Sequence, residues 1–75
     1  MDELLKRITI DPKVMVGKPV IKGTRIPVEL ILREISYGLT PAQIMESYPR
    51  LTPEDIRAAA AYAARVVADE DVFVD

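Results

Sequence analysis

The dipeptide Thr-Pro occurs twice, at Thr40-Pro41 and Thr52-Pro53, and both copies read as the start of a helix. A threonine hydroxyl caps free amide groups of a first turn, and proline fits the first helical position, where its missing N–H costs nothing. Gln43 stands three residues after Thr40 and completes a capping box. Glu54 and Asp55 follow Pro53 and face the positive end of the second helix dipole. Pro49 closes the helix opened at Thr40, because the residue before a proline is driven out of the α region. The chain is thereby committed to a short helix, a tight connection at 49–52 with Leu51 as a core anchor, and a longer helix running to about Ala68.

A further helix precedes this pair. Pro27 suits its first position, and Val28, Ile31, Leu32, Ile35 and Leu39 recur at helical spacing. Gly38 supplies a left-handed cap after Tyr37. In the second helix Ile44, Met45 and Tyr48 form the inward face. In the third, Ile56, Ala59, Ala60, Ala63 and Val67 line the core face, while Ala58, Ala61, Tyr62 and Val66 make most of the remaining surface apolar as well. A helix apolar nearly all round is a buried helix. A chain of 75 residues does not easily surround one, so its second face is assigned to another subunit, with Ala61, Tyr62 and Val66 as the expected dimer interface. Size argues the same way. A domain this short buries only about 60% of its unfolded surface, and with no cysteine there is no disulfide to staple it. A homodimer or higher oligomer supplies the missing area.

The first 26 residues read as extended. Ile8–Ile10 is β-rich and stops at the turn signal Asp11-Pro12. Pro19–Ile21 and Thr24–Ile26 are short extended pieces on either side of Lys22-Gly23, and Gly17 marks another turn. The expected fold is mainly α: one homeodomain-like three-helix helix-turn-helix domain over 27–68, a short N-terminal β-arm or hairpin over 1–26, and an acidic tail over 69–75. In the tail Val72, Phe73 and Val74 follow three acids.

Charge narrows the function classes. The net charge is only −2, yet residues 1–27 hold six bases against three acids, and residues 28–75 hold four bases against nine acids. An N-terminal basic third on an acidic helical body points to a nucleic-acid contact, with a solvated ribbon of lysines as the plainer alternative. A helix-turn-helix reads DNA with the leading residues of its later helix, here Thr52 and Arg57, with Arg50 in the turn; Glu54 and Asp55 at the same tip would meet phosphate with like charge, and the plainer alternative is a third helix that serves packing only. The rival element is the arm, where Lys18, Lys22, Thr24 and Arg25 surround Gly23 and can grip phosphates or simply build the turn. Gly17-Lys18 is not a phosphate loop, because Pro12 stands where its first glycine belongs and Pro19 where its hydroxyl residue belongs. The chain has no cysteine, no histidine and two serines, Ser36 and Ser47, so no nucleophile–base pair is evident and an enzyme is not expected. Neither a metal nor a small-molecule cofactor is expected. Tyr37, Tyr48 and Tyr62 read as core-edge residues rather than a base-stacking platform. With no membrane-length apolar run and no signal-peptide pattern at its start, the chain is expected to be cytoplasmic.

The run Ile10-Asp11-Pro12, the segment from Gly17 through Val28 (GKPVIKGTRIPV), Gly38-Leu39-Thr40, Tyr48-Pro49, Leu51-Thr52 and Ile56 together resemble the domain-of-unknown-function 433 family, over about residues 8–65. The resemblance implies compact homeodomain-like helical domains with a short β-arm that tend to associate. It implies an antitoxin that silences a nuclease-like toxin of the PIN type and binds its own promoter DNA. On that reading Val72, Phe73 and Val74 join the toxin as an extended segment, the equal alternative being a terminal strand that packs on its own dimer. The alternatives are a dimeric protein-interaction module and a plain transcriptional regulator with no toxin partner.

Overall fold

The computed structural model describes residues 2–70. Helix α1 (Asp2–Leu5) leads into strand β1 (Ile8–Ile10), a tight turn at Met15–Gly17 reverses the chain into β2 (Pro19–Ile21), and three helices follow: α2 (Val28–Ser36), α3 (Pro41–Ser47) and α4 (Pro53–Asp69). The described part is thus mostly helical, with four helices and one antiparallel hairpin.

The three long helices begin and end where the local chemistry places them. Thr40 Oγ1 accepts from Gln43 N at 3.2 Å, and Gln43 Oε1 accepts from Thr40 N at 2.8 Å. The same reciprocal box recurs at α4, where Thr52 Oγ1 accepts from Asp55 N at 3.2 Å and Asp55 Oδ2 from Thr52 N at 3.0 Å. Asp55 therefore does more than complement the dipole. Gly38, with φ of +91°, ends α2 in a left-handed cap: its N–H bonds to Ile35 O at 2.9 Å, and Leu39 N–H reaches back to Glu34 O at 3.2 Å.

The N-terminal third departs from the expected arm. Residues 2–5 form one helical turn rather than extended chain. β1 pairs with β2 in the register Ile8–Ile21, Thr9–Val20 and Ile10–Pro19. The expected extended piece at Thr24–Ile26 forms no strand: the chain bends at Thr24 and rejoins β2 through one isolated antiparallel bridge, Val20 to Pro27. Thr24 Oγ1 donates to Ile21 O at 2.7 Å and accepts from Ile26 N at 3.0 Å, while Ile21 N donates to Ile26 O at 3.0 Å. Gly23 makes this possible by taking a φ of +82°. The hairpin is no free arm, because Val20 and Ile21 are 0% and 1% exposed.

One core joins the hairpin to the helices. Ile21, Val28, Ile31, Ile44, Leu51, Ile56 and Ala59 form it, with Ile8, Ile26, Leu32, Leu39, Met45, Tyr48 and Tyr62 packed around. Tyr37 lies outside it, largely exposed. The buried arc of α4 is rotated from the expected one: Asp55, Ile56, Ala58, Ala59 and Ala61 are buried, whereas Ala60 and Val67 face solvent. α1 and β1 pack on α4 as well as α2 and α3, so more of its surface is claimed than three helices alone would claim. A single chain covers this much of α4 because α1, read as extended chain, supplies half-buried Leu4 and Leu5. Among the described residues no helix is long and apolar enough to cross a membrane.

Candidate functional site: a cationic groove

The hairpin and the α3–α4 connection meet over a groove of about 660 Å³. Its floor is Val14, Val20 and Ile26, its rim Thr9, Asp11, Gly23, Thr24, Arg25 and Arg50. Two local structures aim the arginines. The Thr24 turn puts Arg25 on the rim, exposed. Arg50 sits in the connection made by Pro49, and its Nη2 donates to Gly23 O at 3.0 Å. That bond spends one guanidinium donor on the hairpin and leaves the others for a ligand. None of the five ion pairs among the described residues involves Lys22, Arg25, Arg50 or Arg57. The one carboxylate on the rim, Asp11, has Oδ1 engaged by Lys13 N–H at 2.9 Å. Two arginines without an ion-pair partner outnumber the single lining carboxylate, and over an apolar floor they suit an anionic group attached to something apolar.

The expected site residues divide. Arg25, Thr24 and Arg50 come together in the groove, and Lys22 is exposed beside Gly23. Thr24 has its only hydroxyl proton committed to Ile21 O, so its part is to shape the turn. Lys18 points elsewhere: its Nζ pairs with Glu29 on α2. That hydrogen bond, and then the Lys18 charge with Arg33 adding to it, holds the Glu29 carboxyl below its ordinary value. Thr52 is spent as an N-cap. Arg57 is exposed on α4 but does not line the groove.

The leading end of α4 is less acidic toward solvent than its sequence suggests. Asp55 is 6% exposed and its Oδ1 accepts from Arg7 Nη1 at 3.1 Å, so its charge is turned inward and answered. Sequence reasoning missed Arg7, whose partner lies 48 residues away. It also missed Val14 as part of the groove floor, for which the bounding turns at Asp11-Pro12 and Gly17 were the available signal.

The expected dimer residues also divide. Ala61 is turned into the chain's own packing at 6% exposure. Tyr62 and Val66 line a second hollow of about 410 Å³ with Leu5, Ile8, Ile10, Arg65 and Asp69, in which Ile10 is 56% and Val66 40% exposed. Val72, Phe73 and Val74 lie outside the described residues. Among the described residues no three carboxylates gather as a metal site would need.

A family model described as a protein of unknown function, DUF433, matches residues 8–63. An uncharacterized protein of Sinorhizobium fredii is 36% identical over 56 residues, which is 75% of this chain and 25% of that one. An uncharacterized protein of Archaeoglobus fulgidus is 66% identical over 29 residues, 39% of this chain and 81% of that one. The chain thus spans a quarter of the length of the Sinorhizobium relative. A crystal structure of a DUF433 member protein from Anabaena variabilis matches with a TM-score of 0.78 at 33% identity, over 89% of this chain and 66% of that one.

Proposed function

Since the chain belongs to the DUF433 family of proteins of unknown function, we propose that it acts by binding rather than catalysis, as a cytoplasmic antitoxin-type regulator that contacts DNA and holds a nuclease-like toxin. One observation carries the DNA half of this reading: Arg25 and Arg50 come from segments 25 positions apart, yet line the same groove without a carboxylate partner. Arg50 belongs to the α3–α4 unit and Arg25 to the segment that leaves β2, so both elements weighed on sequence face the nucleic acid together.

The α3–α4 unit serves in this reading as a homeodomain-like helix-turn-helix, with α4 as the reading helix. Arg57 and Lys22 then supply further phosphate contacts beside the groove. The inward Asp55–Arg7 pair supports it, since the leading turn of α4 presents Glu54 alone as a solvent-side carboxylate in place of two. The lack of cysteine and histidine in the whole chain supports binding over catalysis. The second hollow supports self-association: its exposed apolar wall of Ile10 and Val66, beside Tyr62, is the surface that a second copy covers in a homodimer. The toxin contact rests on the family resemblance and on the acidic segment after α4.

Co-expression with the protein encoded by the neighbouring gene tests the reading. A stable complex that suppresses nuclease activity, and that retards a duplex from the region upstream of this chain's gene, is the expected outcome. A chain that neither binds such a partner nor retards the duplex overturns it.

A further inference from the structure

Three consecutive residues at the tip of the hairpin connection lie in the left-handed region: Met15 at φ +50°, Val16 at +56° and Gly17 at +80°. Only the third is a glycine. A β-branched residue there is an outlier, because its Cβ crowds the following carbonyl. The turn is nevertheless well determined, by Val14 N–H to Asp11 O at 2.9 Å, Gly17 N–H to Val14 O at 3.1 Å and Lys18 N–H to Met15 O at 3.2 Å. What this strained backbone displays is apolar. Val16 is 94% exposed and Met15 40%. Neither packing nor water rewards that arrangement, and strain of this kind concentrates where a ligand is met.

Position says what is met. Val14, the residue before the tip, is part of the groove floor that carries Arg25 and Arg50, and exposed Lys13 precedes it. Lys18, on the other side, is occupied by Glu29. An apolar tip beside free cations suits a polyanion whose interior is apolar, and a stacked base step beneath its phosphates is such an interior.

We propose that Met15 and Val16 form a wedge that enters a base step of duplex DNA while Arg25 and Arg50 hold the flanking phosphates. Apolar side chains used in this way partly unstack a step and kink the duplex. The wedge rests on the DNA reading above and adds to it a defined contact and a defined deformation.

The test uses the full chain and a short A·T-rich duplex with 2-aminopurine at its central TpA step, the kind of step that opens most readily. Binding of the natural chain is expected to raise 2-aminopurine fluorescence several-fold. The double variant Met15→Ser, Val16→Asn is expected to bind with an unchanged salt slope but without the rise. It is also expected to melt higher, because asparagine tolerates the left-handed region. A natural chain that binds with a steep salt slope but leaves 2-aminopurine dark overturns the wedge and spares the phosphate contacts, as does a variant that keeps the full rise. No salt-dependent binding at all overturns the DNA reading itself. A variant that binds duplex as before but loses its hold on a co-expressed protein assigns the tip to a protein interface and overturns the wedge.

Discussion

Replacing Asp55 removes two bonds that tie distant parts of the chain together, and the cost follows from their geometry. Its Oδ2 returns the capping-box bond to Thr52 N–H at 3.0 Å, and its Oδ1 holds Arg7 at 3.1 Å. Loss of a cap bond costs about 1 kcal/mol. Loss of an acid from a first helical turn costs about 0.3–1 kcal/mol more. The Arg7 pair adds little beyond this. Its arginine side chain is 43% exposed and regains water once released, so the pair is worth roughly 0.2–1 kcal/mol. Asp55→Ala should therefore destabilise the domain by roughly 2 kcal/mol, a fall in Tm of roughly 8–16 °C for a domain of this size. Asp55→Asn keeps an oxygen acceptor for Thr52 N–H but drops the charge, and should lose about half as much. Thermal unfolding followed by circular dichroism at fixed protein concentration reads both. A cycle with Arg7→Met should give a coupling of about 0.2–1 kcal/mol. The reasoning is refuted if Asp55→Ala leaves Tm within experimental scatter, or if the asparagine variant is as damaging as the alanine.

Gly38→Ala forces a Cβ into a φ of +91° with open space around it, so backbone strain alone should cost about 1 kcal/mol, read by urea unfolding. Ala59→Leu should overpack the core by about 1–3 kcal/mol while Ala60→Leu on the solvent side stays near neutral, and the reverse order would contradict the observed rotation of α4. The Glu29 carboxyl is held below its unfolded value, so the contribution of the Lys18 pair is present above the unfolded pKa and fades as pH falls through the folded one. A carboxylate titration by NMR should show Glu29 moving up toward the ordinary range in Lys18→Met, and an unmoved Glu29 would reassign the cause.

The helix starts were legible because a cap is a local device: threonine, proline and the residue three positions on contain all the atoms involved. The rotation of α4 was not, because alanines on every side leave the choice of inner face to whatever packs there, and that was α1. Four residues with two charges give no periodicity from which to read a helix. The two arginines of the groove were both legible as cations, but their meeting depends on the bend at Thr24, held by its bonds to Ile21 O and Ile26 N. Residues 15 and 16 were illegible for the opposite reason: methionine and valine disfavour the conformation they hold.

A groove that grips phosphates must show it in the affinity for a short duplex as salt is varied. About three or four neutralised phosphates give a slope of roughly −3 in log K against log salt. Arg25→Ala and Arg50→Ala should each weaken binding and make that slope shallower by about 1. A slope near zero, or one that neither substitution changes, would contradict the account.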